Sequence, residues 1–257
     1  MSWQQQWVAL RTILMKEFMR FIRIWIQTVL PAAIMTALYF IIMGKLIGSQ
    51  LADVHGQTYV NYIAPGLVLM SVITNSYANV VSSFFSAKFQ RHVEEMLVSP
   101  MPNYLIVIGF VAGGLTRGLV VGLVTGLVAA FFVEIHLHNI GVVVLVAALT
   151  ATLFSLAGFI NAVYAKTFDD ISIVPTFILT PLTYLGGIFY SVDVLSEFWR
   201  TASLANPVLY MINAMRYGML GVSDIDIMVA LTIIILFVVA LYVWAVMLMR
   251  TGTGIRY

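Results

Sequence analysis

Residues able to do chemistry are few in this sequence, and they fall in a handful of places. The stretch 87–103, AKFQRHVEEMLVSPMPN, carries Lys88, Arg91, His92, Glu94 and Glu95 on charged faces, with Phe89, Val93, Met96 and Leu97 on an apolar one. That spacing predicts a short amphipathic helix over 88–97, stopped by Ser99-Pro100, which either docks into a groove on a soluble partner or rests on lipid. Arg117 stands inside a long apolar run, where a lone cation is costly and normally points into a helix bundle or a water-filled cavity, so it is a candidate pathway residue. Snorkelling toward the interface is the alternative. Around it Gly114, Gly118, Gly122 and Gly126 recur strictly every four residues, next to Gly109 and Gly113. In lipid such a stripe lets another backbone approach closely, so it is expected at a packing face inside the bundle or at a seam between copies. His136 and His138 sit beside Glu134 in a short loop, and a solvated turn explains them more simply than a metal site does.

Catalytic signatures are absent. Gly44-Lys45 is followed by leucine and lacks the earlier glycine, so there is no phosphate loop, and neither G-x-S-x-G nor H-E-x-x-H occurs. The chain is not expected to hydrolyse nucleotide, and no catalytic residue, metal ligand or bound cofactor is assigned to it. Cysteine is absent, so neither disulfides nor thiolate metal sites arise.

The elements that must carry these residues are membrane helices. Of 257 residues, 61% are hydrophobic and 9% charged, whereas soluble domains carry about a quarter charged residues. Mean hydropathy is +1.00. Apolar runs at 25–47, 60–85, 104–133, 140–164, 171–190 and 227–249 predict an all-α polytopic protein with six spans, and nothing alternates as barrel strands would. With the amino terminus in the cytosol, Arg11, Lys16, Arg20, Arg23, Lys88, Arg91, Lys166, Arg250 and Arg256 gather on that side, against Lys45, Arg200 and Arg216 outside. This places both ends in the cytoplasm.

Two further segments have a character of their own. Trp3, Trp7, Leu10, Leu14, Phe18, Phe21 and Trp25 recur every three or four residues, with Lys16, Arg20 and Arg23 opposite. The pattern predicts that 1–24 is an interfacial helix lying in the cytoplasmic headgroups, and no small-residue cleavage site suggests its removal. The segment 191–223 is apolar but interrupted by Asn206-Pro207; the parity of the spans favours two short helices that dip in and return, with an external cap as the other option. Pro31, Pro65, Pro175 and Pro181 fall within spans and are expected to bend them. The turn Lys166-Thr-Phe-Asp-Asp170 is too short to hold a site by itself.

The run PLTYLGGIFYS at 181–191 contains Gly186 and Gly187; Phe198-Trp199, Asn206-Pro207 and Arg216-Tyr217 follow it. Together with AKTFDDIS at 165–172 and the Glu94-Glu95 loop, it resembles the type-2 ABC exporter permeases over nearly the whole chain. The resemblance implies a bacterial inner-membrane permease that pairs with a second copy, has no nucleic-acid partner and works with two copies of a soluble ATPase that uses ATP and Mg. It further implies that 1–24 is the connecting helix and 88–97 the coupling helix, with ATPase contact through Phe89, Arg91, Glu94 and Glu95. The segment after Tyr190, with Gly186, Gly187, Asn206 and Pro207, would be the re-entrant motif. The family exports polysaccharides, lipid-linked sugars and drugs, so the substrate is expected to be amphipathic without being named. A self-sufficient secondary transporter or channel is the competing reading; it would need acids or paired charges near the midplane, and the sequence offers Arg117 there.

Overall fold

The computed structural model describes residues 2–48, 54, 56–134 and 137–254, without the side chains of residues 45–47. The Lys45 side chain, His136 and Arg256 therefore lie outside the described residues, as does most of the loop after Gly48. Regular structure among the described residues is helical, apart from one isolated bridge between Val54 and Gln57.

In chain order the helices are α1 (Trp3–Arg23), α2 (Trp25–Tyr39), α3 (Tyr59–Phe89), α4 (His92–Val98), α5 (Asn103–Ala129), α6 (Ile140–Tyr164), α7 (Asp170–Val174), α8 (Thr180–Tyr184), α9 (Glu197–Leu204), α10 (Pro207–Leu220) and α11 (Ile227–Thr251). Wider π turns extend α2 through Phe40–Ile47 and join α7 to α8 through Pro175–Leu179. Five helices are long and apolar enough to cross a bilayer: Trp25–Gly44, α3, α5, α6 and α11. The chain is thus a polytopic helical membrane protein.

The run 171–190 departs from the sequence expectation. Its helical part stops at Tyr184 and is assembled from three joined pieces. Pro175 and Pro181 each remove a backbone donor, and the Thr180 hydroxyl donates to the Pro175 carbonyl at 2.9 Å where the ladder widens. From Asp170 to Tyr184 the rise is about 22 Å at 1.5 Å per residue, short of a hydrocarbon core of about 30 Å.

α3 is the central post. It is buried along most of its length against α5, α6 and α10. The Phe84 ring stands 5.2 Å from Phe110 of α5 and 4.2 Å from Phe159 of α6, tying the three helices together. One end of the bundle gathers the basic residues. There Tyr104 donates to Gln6 Oε1 (3.0 Å) and Asn103 Nδ2 to the Met249 carbonyl (3.2 Å), while Gly254 lies against Val163. The start of α1, the end of α11 and α4 therefore share one end with Lys88, Arg91, Lys166 and Arg250. At the opposite end the Asn139 amide donates to the Gly218 carbonyl (2.8 Å) and the Tyr59 hydroxyl to the Phe189 carbonyl (3.2 Å).

α1 presents a different side from the one its aromatic spacing suggests. Ile13, Glu17 and Phe21 are buried, and α1 runs lengthwise along the first half of α5; Trp3, Trp7 and Phe18 remain exposed. Gly109 and Gly113 make this possible, because a Cβ at either would collide with Ile13 or Glu17. Arg20, expected on the solvent face, turns into the bundle with Glu17.

Candidate functional site

At the basic end, α3 continues to Phe89, so Lys88 and Phe89 belong to its last turn and the short helix begins only at His92. The corner is made at Arg91, whose φ of 63° lies in the left-handed region, a conformation that costs a non-glycine residue about 1–2 kcal/mol. α4 buries Val93 beneath it and leaves Glu94 and Glu95 exposed. Lys88 turns back: its Nζ donates to the carbonyls of Val163 (2.6 Å) and Ala165 (2.7 Å), satisfying the free end of α6. The rings of Phe85 and Phe89 close on Phe168 at 4.9 and 5.2 Å.

This joins the two loops at that end into one surface. Asp170 Oδ2 accepts from the backbone amides of Lys166 (2.8 Å) and Thr167 (2.9 Å), and these bonds hold its carboxyl below the usual aspartate range. A cleft of about 340 Å³ is lined by Phe85, Lys88, Phe89, Arg91, Val93, Glu94 and Lys166. Phe89, Arg91 and Glu94 thus share one cleft, and Glu95 stands beside it on α4. No spacing signal links Lys166 and Phe168 to this surface, since they are more than seventy positions away from it along the chain.

Arg117 is buried about midway along the bundle. Its Nε and Nη2 donate to Asn75 Oδ1 of α3 at 3.3 and 3.0 Å. Both residues line a cleft of about 310 Å³ between α2, α3 and α5, with Thr28, Thr36, Ser71 and Thr74 among its polar walls and Pro31, Met35, Leu67 and Met70 among its apolar ones.

The glycine stripe divides among its neighbours. Gly114 and Gly118 meet Ser76 of α3, Gly114 also meets Val80 and Ser155, Gly122 meets Val72, and Gly126 faces open space. Gly118→Leu should therefore destabilise the bundle by about 1–3 kcal/mol, the usual range for overpacking, while Gly126→Leu leaves it unchanged. Thermal unfolding of the two variants in the same detergent measures the contrast.

Gly187 adopts φ 79° in the turn after α8, a conformation natural to glycine. Asn206 caps α10, with Oδ1 accepting from the Val208 amide (2.9 Å), and its Nδ2 reaches the Leu182 carbonyl (2.7 Å). Pro207 occupies the first turn of α10, where no amide is needed. α9 and α10 form a hairpin about this corner. Its two ends meet where Ser191 Oγ donates to Asp224 Oδ2 at 3.1 Å.

Two buried charge clusters escaped the sequence reading. Arg216, counted there as an external cation, is enclosed: Nη2 donates to the Gly187 carbonyl (2.7 Å), Nη1 lies 3.8 Å from Asp224 Oδ2, and the guanidinium sits 3.8 Å from the Tyr62 ring centre. Glu17 accepts from Ser83 Oγ (2.6 Å) and pairs with Arg20 (3.4 Å), which in turn donates to the carbonyl and the side chain of Asn79, both at 2.8 Å. A glutamate and an arginine three apart on one helix would have signalled a pair, though not its burial. Among the described residues no three His, Asp or Glu side chains cluster as metal ligands, and His138 packs on the Tyr217 ring.

Comparison with known proteins agrees along the chain. The family model "ABC-2 type transporter" matches residues 8–220. The inner membrane transport permease YadH of Escherichia coli strain K12 is 53% identical over 250 residues, covering 97% of this chain and 98% of that protein. Nodulation protein J of Neorhizobium galegae is 25% identical over 214 residues (83% and 82%), and that of Rhizobium leguminosarum bv. viciae is 22% identical over 214 residues (83% and 83%).

Proposed function

Because this chain belongs to the ABC-2 type transporter family, as a multi-pass inner-membrane permease whose ATPase activity resides in a separate subunit, we propose that it forms the membrane path of an exporter. In this reading two copies of the chain pair with two copies of a soluble ATPase, which binds ATP and Mg. The substrate moved outward is amphipathic: lipid-linked, saccharide or drug-like. Both termini face the cytosol. Six crossings fit this orientation, the fifth being completed by residues 185–190 beyond the end of α8, and α9–α10 re-entering from outside. α2 and α11 leave most of their apolar surface uncovered in a single chain, which suits lipid and a second copy alike.

The observation that carries the reading is the surface around α4. An exposed Glu94-Glu95 pair stands on a helix anchored through Val93 and joined to the adjoining turn, at the end where the cations collect. Closure of the ATPase dimer would press on Phe89, Arg91, Glu94 and Glu95 and tilt the helices behind them. Such a push shifts the balance between two packings of the bundle. In alternating access one packing opens inward and the other outward.

The test is co-purification from the native host in mild detergent, followed by ATP-dependent transport in vesicles. A stoichiometric soluble ATPase should accompany the chain. Glu94→Lys with Glu95→Lys should reduce substrate-stimulated ATP hydrolysis at least about tenfold, as expected when several charge contacts across an interface are reversed, with membrane insertion unaltered. Unchanged coupling in that variant would remove α4 from the contact, and gradient-driven flux by the chain alone would overturn the permease reading.

A further inference from the structure

The arginines turned into this bundle differ in one respect. Arg20 pairs with Glu17 at 3.4 Å and Arg216 with Asp224 at 3.8 Å. Arg117 meets only the neutral amide oxygen of Asn75, with no carboxylate within ion-pair distance among the described residues. Asn75 is fixed for that contact, because its Nδ2 donates to the Ser71 carbonyl at 3.1 Å and leaves Oδ1 toward the guanidinium. Arg117 Nη1 donates to no protein atom among the described residues and is not sealed off. It stands in the wall of the cleft between α2, α3 and α5. A cation at this depth without a counter-charge is expensive.

The rest of the cleft specifies what would neutralise it. Thr28, Ser71 and Thr74 each donate their hydroxyl hydrogen to a carbonyl of their own helix, at 3.0, 3.3 and 2.9 Å. Their oxygens keep lone pairs that can accept, the one on Ser71 being shared with Thr36 Oγ1 at 3.4 Å. One arginine donor beside several hydroxyl acceptors complements an anionic group that carries hydroxyls next to it. The volume, about 310 Å³, sits at the low end of ligand pockets, which hold roughly 300–1,000 Å³. It accommodates a headgroup and leaves hydrocarbon chains to the apolar flank of Pro31 and Met35, which are exposed on α2.

We propose that this cleft binds the headgroup of an anionic, hydroxyl-bearing amphiphile, with Arg117 and Asn75 as its recognition pair. The proposal rests on the permease reading only for the fate of the ligand, since the bound species would be the substrate or its lipid carrier. Binding itself needs neither ATP nor the ATPase subunit, so failure here and failure of coupling are separate results.

The test uses the full chain in nanodiscs of equal phosphatidylglycerol and phosphatidylcholine, with retained lipid read by native mass spectrometry. Wild type should retain phosphatidylglycerol over phosphatidylcholine by about tenfold, the worth of one charge-assisted hydrogen bond. Arg117→Gln should abolish the preference, while Arg11→Gln, on the exposed side of α1, should leave it intact. Should Arg117→Gln fail to fold, Thr74→Trp fills the cleft without touching the arginine pair and must abolish the same preference. A wild-type preference for phosphatidylglycerol kept in the arginine and tryptophan variants overturns the site. Displacement of the lipid by inorganic phosphate alone would assign the cleft to a soluble anion and overturn the amphiphile. Because the chain lacks cysteine, Thr74→Cys offers a clean check: an intermolecular disulfide at that position would give the cleft to a second copy and likewise overturn the proposal.

Discussion

Arg216→Met is expected to lower stability by about 3–5 kcal/mol, the cost of leaving one member of a buried ion pair without its partner. A membrane bundle is held by many small terms, and this single loss touches three parts of the structure together. The guanidinium holds the Gly187 carbonyl after α8, faces Asp224 before α11, and lies on Tyr62 of the central α3. Its removal takes a donor from the Gly187 carbonyl and the counter-charge from Asp224, which keeps the Ser191 hydroxyl and the Val192 amide, and so weakens the closure of the α9–α10 hairpin. Arg216→Lys should fall between, since an ammonium keeps the charge but cannot fork toward two acceptors. Arg216→Gln combined with Asp224→Asn should recover part of the loss. Melting of the detergent-solubilised chain with size-exclusion profiles measures the series; an unaltered melt for the methionine variant would mean that the cluster is not what closes the hairpin.

Glu17→Leu is expected to release α1 from the bundle. The carboxylate occupies space left by Gly113, takes the Ser83 hydroxyl and balances Arg20. Losing it leaves the half-buried Arg20 with neutral partners, at a cost of about 3 kcal/mol, the low end for breaking such a pair. In a background that already lacks cysteine, Ile13→Cys on the buried side of α1 reports the release. Its labelling rate should rise by about two orders of magnitude in the glutamate variant, because 1.4 kcal/mol corresponds to a factor of ten. Glu17→Gln keeps an acceptor for Ser83 and should give a smaller rise. Equal labelling with and without Glu17 would show that apolar packing alone keeps α1 in place.

Most of the architecture could be read from hydropathy, because lipid forces backbone groups to bond within helices and so turns apolar length directly into spans. α6 and α11 appear almost where their apolar runs lie. The run after Asp170 does not, for a physical reason: hydropathy registers what the side chains prefer and ignores the donors that Pro175 and Pro181 remove. The Gly-x-x-x-Gly spacing predicts a packing face, and α5 uses Gly109 and Gly113 for α1 and Gly114, Gly118 and Gly122 for α3 while Gly126 faces open space, a division that depends on which helices fold alongside. Charged residues were the least legible. Arg216 reads as an external cation until partners distant along the chain enclose it, and Lys88 reads as part of the short amphipathic helix although it ends α3 and bonds across to α6. For the α4 surface, sequence spacing identified the exposed glutamates and missed the second loop that completes it.

Lys88 has a mechanical corollary. Its ammonium ties the last turn of α3 to the end of α6 through two short bonds, so the two rods cannot slide past one another at that end without breaking both. Any shove delivered at that corner would be shared by the pair from the outset, and the two helices would answer it as a braced frame rather than as a single lever.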